Sequence, residues 1–521
     1  MTEKINYLLS FTFINLFISF YTVRTDLNKF LFILLFTLLI SVILIFYEIY
    51  KKNYLSNFFD FDKNELGFIA ILAILFLIYF IDPSNNLNSS LLDKASCKND
   101  LIFLTYELTF LKKFFCKFYF NIYIIFFLFV YLILRKIAKK INLAKIFIIT
   151  SIFFSILAII NTISFFYINE IYFRNPDNLE LKNIYSTFTK YNNSGLYAYF
   201  QLLPIGASGY RNIEVFTILP GYLASVYLLL KSTNKNISKE VFLNIFLFII
   251  VFLSYSRTAW VTMGVLEILL IIYFFIKKNL FYKKLFLINI KKIFYLTLTI
   301  ILLNIFLQSD IFIKDNKQRN NLIYYTLFKV STLTPFTKIQ DYFNFKNSQA
   351  WTYWEIKNLD LSENNNRKQY FKANVKEKMR EHFKANVKEK MREHLNSNIS
   401  RKQIYSQAYE KFKVKKFFGY GMSNFEFDIK MNSSKKISTS KGNAESQIIQ
   451  IILEKGIIGS TIFLVFLVKI FNRNLIISLE NILLVGVCIY SIFVTLQFYF
   501  FYWIIISCCC ALKFSQTKNI R

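Results

Sequence analysis

Apolar residues in this chain come in long blocks and do not alternate with polar ones. The blocks run near 7–23, 30–49, 66–82, 114–134, 146–168, 213–230, 239–255, 258–276, 293–308, 444–470, 475–495 and 497–512. Roughly 20 apolar residues suffice for a helix to cross a hydrocarbon core, so the pattern predicts about twelve membrane-spanning helices. The first block lacks a small-residue cleavage site and is followed at once by further blocks, which predicts a retained helix and not a removed signal peptide.

Composition agrees. With 55% hydrophobic and 19% aromatic residues among 521, and only 5 prolines and 12 glycines, the chain is too apolar for a soluble protein of its length. A net charge of +31 would suggest nucleic acid in a soluble protein. Here the basic residues gather between the apolar blocks, where lysine and arginine mark the cytoplasmic side of a membrane, so no nucleic-acid partner is expected. Lys51 and Lys52, Arg135 with Lys136, Lys139 and Lys140, Lys231 and Lys235, Lys277, Lys278, Lys283 and Lys284, Lys469 and Arg473, and Lys513 and Arg521 all fall on one side. Both termini are therefore expected to be cytoplasmic. Alternate gaps, including the one around Arg257 and the long segment 309–442, then face outward.

The expected organisation is transmembrane helices one to nine in 1–308, a large outer loop domain in 309–442, and helices ten to twelve in 443–521. The loop holds a perfect tandem duplication, FKANVKEKMREH at 371–382 and again at 383–394. A twelve-residue period rotates the second copy by about 120° around a straight helix, so the copies share no face and read as a tolerated surface insertion. The two histidines, His382 and His394, are duplicates within it, which makes a histidine zinc site or a histidine base unexpected. The six cysteines show neither metal-ligand spacing nor an evident disulfide pair. No metal and no cofactor are expected. Beyond the duplication, Ile404, Ala408 and Phe412 recur every four residues and predict a helix ending before Gly419, with GYG at 419–421 as a flexible turn.

Three arginines fall on the expected outer face: Arg211, Arg257 and Arg401. Arginine at a bilayer surface ordinarily reaches for lipid headgroups; the alternative is that these three converge. Arg257 stands in SYSRTAW between two apolar blocks with almost no loop, so its side chain must stay close to the bundle. A guanidinium is always charged and grips phosphate oxygens through paired hydrogen bonds, which suits a lipid-linked pyrophosphate.

The segments SYSRTAWVTMGV (254–265), SRKQIYSQAYEKFKVKKFFGYGMSNFEF (400–427) and NAESQIIQIILEKGIIGSTIFL (443–464) resemble the O-antigen ligase and O-antigen polymerase superfamily of bacterial inner-membrane proteins. The most specific element is an apolar helix containing Glu-x-Gly-x-x-Gly, matched by Glu454, Gly456 and Gly459. The resemblance covers residues 200–470, and the first five blocks agree only in hydropathy. It implies an all-α polytopic membrane bundle of the GT-C-like kind with a helical periplasmic loop domain. It also implies a metal-independent glycosyltransferase, seated among membrane lipid. Such an enzyme moves an oligosaccharide from undecaprenyl pyrophosphate to an acceptor, either another glycan or lipid A-core. Arg257 and Arg401 match the clearest pyrophosphate-holding arginines of the family. Arg211 matches less closely, because LPGYLA has Gly221 where the family often has asparagine.

One departure bears on mechanism. Ligases of this family usually carry a histidine just before the Glu-x-Gly helix, and here Glu445 stands in that place. A carboxylate can activate a sugar hydroxyl if burial raises its pKa, whereas neighbouring arginines oppose the rise. Glu445 is thus a candidate catalytic base acting beside Arg257, or else a helix N-terminal charge meeting the dipole. Nine residues along a straight helix would put Glu454 about 13 Å deeper and on the opposite face from Glu445. Glu454 and Glu267 therefore read as structural carboxylates, each needing a buried partner. The missing histidine favours a polymerase over a ligase. A transporter of a small anion or other solute is the alternative, and would show inverted repeats, interrupted helices and charges near the midplane.

Overall fold

The computed structural model describes residues 2–22, 28–51, 61–80, 119–138, 141–174, 211–232, 237–279, 281–308, 402–421, 425–430, 437–441, 446–471, 477–496 and 500–517, with the single positions 323, 326, 327, 330 and 444. In chain order the elements are α1 (Thr2–Thr22), α2 (Asn28–Lys51), α3 (Lys63–Phe80), α4 (Tyr119–Ile137), α5 (Leu143–Arg174), α6 (Arg211–Lys231), α7 (Ile237–Leu253), α8 (Arg257–Ile276), α9 (Phe281–Gln308), α10 (402–414), β1 (Glu426–Lys430), β2 (Ile437–Lys441), α11 (Gln447–Ile470), α12 (Leu479–Phe493) and α13 (Phe500–Thr517). The fold is mostly helical, and a helix overlies each predicted apolar block. Among the described residues, four segments are long and apolar enough to cross a membrane: Leu143–Ile160, Arg257–Ile276, Phe281–Ile305 and Gln447–Ile470.

Bare apolar surface shows what solvent the bundle needs. On α9, Phe286, Leu287, Ile290, Ile293, Phe294, Leu302 and Ile305 are all exposed. A contiguous strip of that kind is a liability in water and an ordinary surface in hydrocarbon. Inside, α6 packs on α5, α7, α8 and α12, while α3 lies between α4 and α11. Phe68 of α3 ties four helices together, with ring centroids 6.3 Å from Phe127 of α4, 5.4 Å from Phe466 of α11 and 5.2 Å from Phe514 of α13.

Two local sequences shape the frame around the site. Pro220 sits inside α6 and cannot donate to the helical ladder. Next to it the Gly221 N–H donates to Ser151 Oγ of α5 at 3.1 Å, and that hydroxyl donates on to the Thr217 carbonyl at 3.4 Å. The serine has entered the ladder where residues 217 and 221 would otherwise pair. A side chain at 221 would meet Ser151 Oγ at 2.2 Å, so glycine there admits α5. At the opposite end, Asp62 and Glu65 cap α3 reciprocally, Glu65 N donating to Asp62 Oδ1 at 2.7 Å and Asp62 N to Glu65 Oε2 at 3.1 Å.

Three expectations need correction. Arg135, read as a loop charge, lies within α4, is buried, and forms a 2.6 Å ion pair with Glu65 supplemented by the Tyr131 hydroxyl at 3.1 Å. The block at 293–308 begins too late: α9 starts at Phe281 and carries Lys283, Lys284, Lys291 and Lys292 inside the helix. The segment 309–442 is not purely helical either, since β1 and β2 pair antiparallel with Glu426 opposite Lys441. Phe425, Phe427 and Ile429 alternate with Glu426, Asp428 and Lys430, which is strand periodicity. The predicted helix through Ile404, Ala408 and Phe412 is present as α10. It packs on this ribbon in a small core with Phe425, Phe427, Ala444 and Leu453. Gln407 completes the contact, its amide bonding both the N–H and the carbonyl of Asp428 at 2.9 and 2.7 Å. The duplication 371–394 with both histidines, and Cys97 and Cys116, lie outside the described residues; the described cysteines are free thiols.

Candidate functional site

Arg257 is held by a turn with almost no freedom. Ser254, Tyr255 and Ser256 are all buried, and Tyr255 adopts a left-handed φ of 55° that bulky residues rarely accept. Around it the Tyr255 N–H donates to Phe252 O at 3.0 Å, and the Tyr255 hydroxyl shares a 2.9 Å hydrogen bond with Thr326. Trp260 stacks on Phe252 at 4.3 Å and donates its Nε1–H to Phe252 O at 2.8 Å. Ser256 caps α8, accepting from Ala259 N, which makes Arg257 the first helical residue, partly buried.

A cation at a helix N-terminus opposes the helix dipole by roughly 0.3–1 kcal/mol. An anion bound at the same point would reverse the sign of the interaction. Arg211 repeats the placement as the first residue of α6. The two helices run parallel, because α7 lies antiparallel on α6, with Asn244 on Ser225 and Phe248 on Tyr222, and the tight turn at 254–256 reverses the chain again into α8; Tyr222, eleven residues into α6, meets Glu267, ten residues into α8. Arg211 and Arg257 thus start their helices at the same end and at similar height. That end also gathers the starts of α11 and α13. Phe216 of α6 packs on Phe501 at 5.7 Å, Gln447 of α11 donates to the Tyr502 hydroxyl at 2.9 Å, and Leu496 N donates to Gln447 Oε1 at 3.1 Å.

Arg401 and Glu445 lie outside the described residues, one position before α10 and two before α11. Their described neighbours Ile404 and Ala444 share the small core under the ribbon. Ser446 has extended backbone and α11 begins at Gln447, so the straight-helix count that separated Glu445 from Glu454 does not apply.

The Glu-x-Gly-x-x-Gly motif does something periodicity did not indicate. Gly456 has φ 62° and ψ −163°, a conformation essentially confined to glycine, and it breaks α11. Residues 416–421 are laced into the break. Tyr420 N donates to Leu453 O at 2.7 Å and Gly421 N to Glu454 O at 2.9 Å; in return Ile457 N donates to Lys416 O at 2.8 Å and Ile458 N to Phe417 O at 3.3 Å. GYG is therefore not a flexible turn but a backbone clamp. A Cβ at Gly419 would stand 2.4 Å from the Glu454 carbonyl carbon, and one at Gly456 2.3 Å from Phe417 O. Tyr420 adds a hydroxyl bond to Lys411 O at 3.0 Å, and burial pushes its phenol up, keeping it a donor.

Both carboxylates that the sequence marks as structural have partners. Glu454 is fully buried and accepts from Gln450 Nε2 at 2.6 Å, while Gln450 Oε1 accepts from Ala444 N at 2.8 Å. One side chain thereby links the broken helix to the residue preceding Glu445. Glu267 of α8 is ion-paired with buried Lys292 of α9 and accepts from the Tyr222 hydroxyl of α6. The Lys292 ammonium also lies over the Tyr222 and Phe248 rings, 5.3 and 5.5 Å from their centroids. Lys292 and Tyr222 carried no sequence signal of this role, because neither has periodicity or spacing relative to Glu267. Among the described residues no cluster of metal-ligating side chains occurs.

Comparison with curated proteins and with solved structures found no match. One family comparison did, over a segment containing Arg257, Arg401, Glu445 and the clamp but beginning after Arg211. Residues 242–464, a little under half of the chain, match the family model described as O-antigen ligase, and over that segment the chain is similar to that family.

Proposed function

We propose that the protein transfers or polymerises a glycan carried on undecaprenyl pyrophosphate, at the end of the bundle where α6, α8 and α11 begin. That end faces the periplasm in this reading, with both termini cytoplasmic and 309–442 forming the outer domain. Arg211, Arg257 and Arg401 hold the pyrophosphate. An acceptor hydroxyl, on a second glycan or on lipid A-core, attacks the anomeric carbon as the bond from that carbon to the pyrophosphate oxygen breaks. The diphosphate leaves with the bonding electrons, its charge met by the arginines, and the hydroxyl proton passes to Glu445. No metal enters the step.

The observation that carries this reading is Arg257: the first residue of its helix, fixed by a buried turn, level with the start of α6 and inside the family-matched segment. Arg257→Ala is expected to lower glycan transfer by about 10²–10³-fold with unchanged membrane insertion. Arg257→Lys should also be poor, since one ammonium cannot reproduce a two-pronged grip. Transfer assayed on lipid-linked donor in membranes checks both; normal activity of Arg257→Ala would remove the site assignment. Gel analysis of surface polysaccharide from a deletion strain separates acceptors. Single repeat units on the core indicate a polymerase, and full-length chains stranded on the lipid carrier a ligase.

Transport keeps two observations in its favour, the break in α11 and the mid-helix Glu267–Lys292 pair. Both are internally satisfied: the backbone at the break pairs with 416–421, and each charge has its counter-ion. An unchanged polysaccharide pattern in the deletion strain would restore that reading.

A further inference from the structure

The clamp also decides where a cluster of bare side chains must lie. Val414, Phe417 and Phe418 are 75%, 64% and 71% exposed, although the backbone beside them is pinned to α11. The residues they are pinned to, Ile457 and Ile458, are themselves exposed and open onto Leu464, Val465 and Val468 further along the same helix. The patch at 414–418 therefore adjoins the bare apolar face of α11, a helix long and apolar enough to cross a membrane. Lysines interleave it: Lys411, Lys413, Lys415 and Lys416 stand against the one carboxylate of this stretch, Glu410. Lys413 pairs with Glu410 at 2.9 Å, and Lys415 lies over the Tyr420 ring at 4.9 Å.

Depth follows from a second helix. α3 runs antiparallel to α11, since Phe68 stacks on Phe466 while Ile78 reaches to 3.7 Å of where a Cβ on Gly459 would stand. The last residue of α3, Phe80, then ends close to the level of Gly456. α3 is about 27 Å long at the helical rise, close to the roughly 30 Å of a hydrocarbon core. The clamp, and with it 414–418, lies level with the end of α3, an apolar helix of nearly that length.

We propose that 414–418 is a membrane-dipping wedge. Val414, Phe417 and Phe418 enter the acyl chains of one leaflet, and Lys411, Lys413, Lys415 and Lys416 meet anionic lipid headgroups. Aromatic and apolar side chains with interleaved lysines are the composition that seats a segment in the interface plane. The wedge rests on the membrane character of the chain and is independent of the reaction proposed above.

A bimane fluorophore on Phe418→Cys reads its surroundings directly, with labelled wild-type chain supplying the background from native cysteines. In vesicles of phosphatidylcholine and phosphatidylglycerol, brominated acyl chains should quench it several-fold more strongly than aqueous iodide. Val414→Cys should behave likewise, and both exposed positions tolerate the change. The same probe at Ser406, two turns back along α10, should respond to iodide instead. Quenching of 414 and 418 by iodide alone would place them in water, and quenching by neither would mean that protein covers them; each result overturns the wedge.

Discussion

Gly456→Ala is expected to destabilise the bundle by at least about 3 kcal/mol, adding backbone strain of roughly 1–3 kcal/mol to a steric overlap. The overlap is with backbone: the new methyl would sit 2.3 Å from Phe417 O, and neither the clamp nor α11 can move away without losing the hydrogen bonds they exchange. Gly419→Ala should be comparable, with φ +70° and a 2.4 Å approach to the Glu454 backbone. Gly264 supplies the contrast. Nothing lies within 4 Å of a Cβ there, and a methyl in mid-α8 should be neutral or stabilising by up to about 1 kcal/mol. Heating detergent-solubilised variants and measuring the monodisperse fraction that survives ranks them. Equal melting of Gly456→Ala and Gly264→Ala would mean that the clamp does not hold α11.

Lys292→Met should be nearly as damaging. It leaves the Glu267 carboxylate in the interior with only the Tyr222 hydroxyl for company, and breaking a buried pair from one side costs about 3–5 kcal/mol. The double change Glu267→Gln with Lys292→Met removes both charges and should recover most of that loss, giving a large coupling term in a double-mutant cycle. Additive losses would show that the two charges are not each other's partner. Because the pair joins α8 to α9 while Tyr222 brings in α6, the single change should also loosen the two helices that begin with Arg211 and Arg257.

The block pattern was enough to anticipate the helices, since burial in hydrocarbon demands long apolar runs and little else competes with that signal. α10 was equally legible, as Ile404, Ala408 and Phe412 needed only local periodicity. The clamp was not. Its hydrogen bonds join residues 33 to 41 positions apart, and a glycine chosen for its φ is indistinguishable in sequence from one chosen for flexibility. The partner of Glu267 was hidden differently: Lys292 borders an apolar block, where a lysine normally flanks a membrane, and only the longer α9 draws it inside. Arg135 was misread by the same rule. For the candidate site, sequence and family resemblance supplied Arg257 as an isolated charge. What they could not supply was the buried turn of Ser254, Tyr255 and Ser256 that holds it, which depends on contacts from Trp260 and Thr326.

The broken helix also constrains how this protein is made. An apolar segment such as 447–470 enters the bilayer most readily as an unbroken helix, with Leu453 and Glu454 bonded to Ile457 and Ile458 of its own chain. Reaching the final state then means giving up those two hydrogen bonds and taking four from 416–421. The donor strand is synthesised first. Assembly is therefore a late exchange between a segment waiting at the membrane surface and a newly inserted helix, and a truncation that removes 416–421 should leave 447–470 inserted, straight and unable to mature.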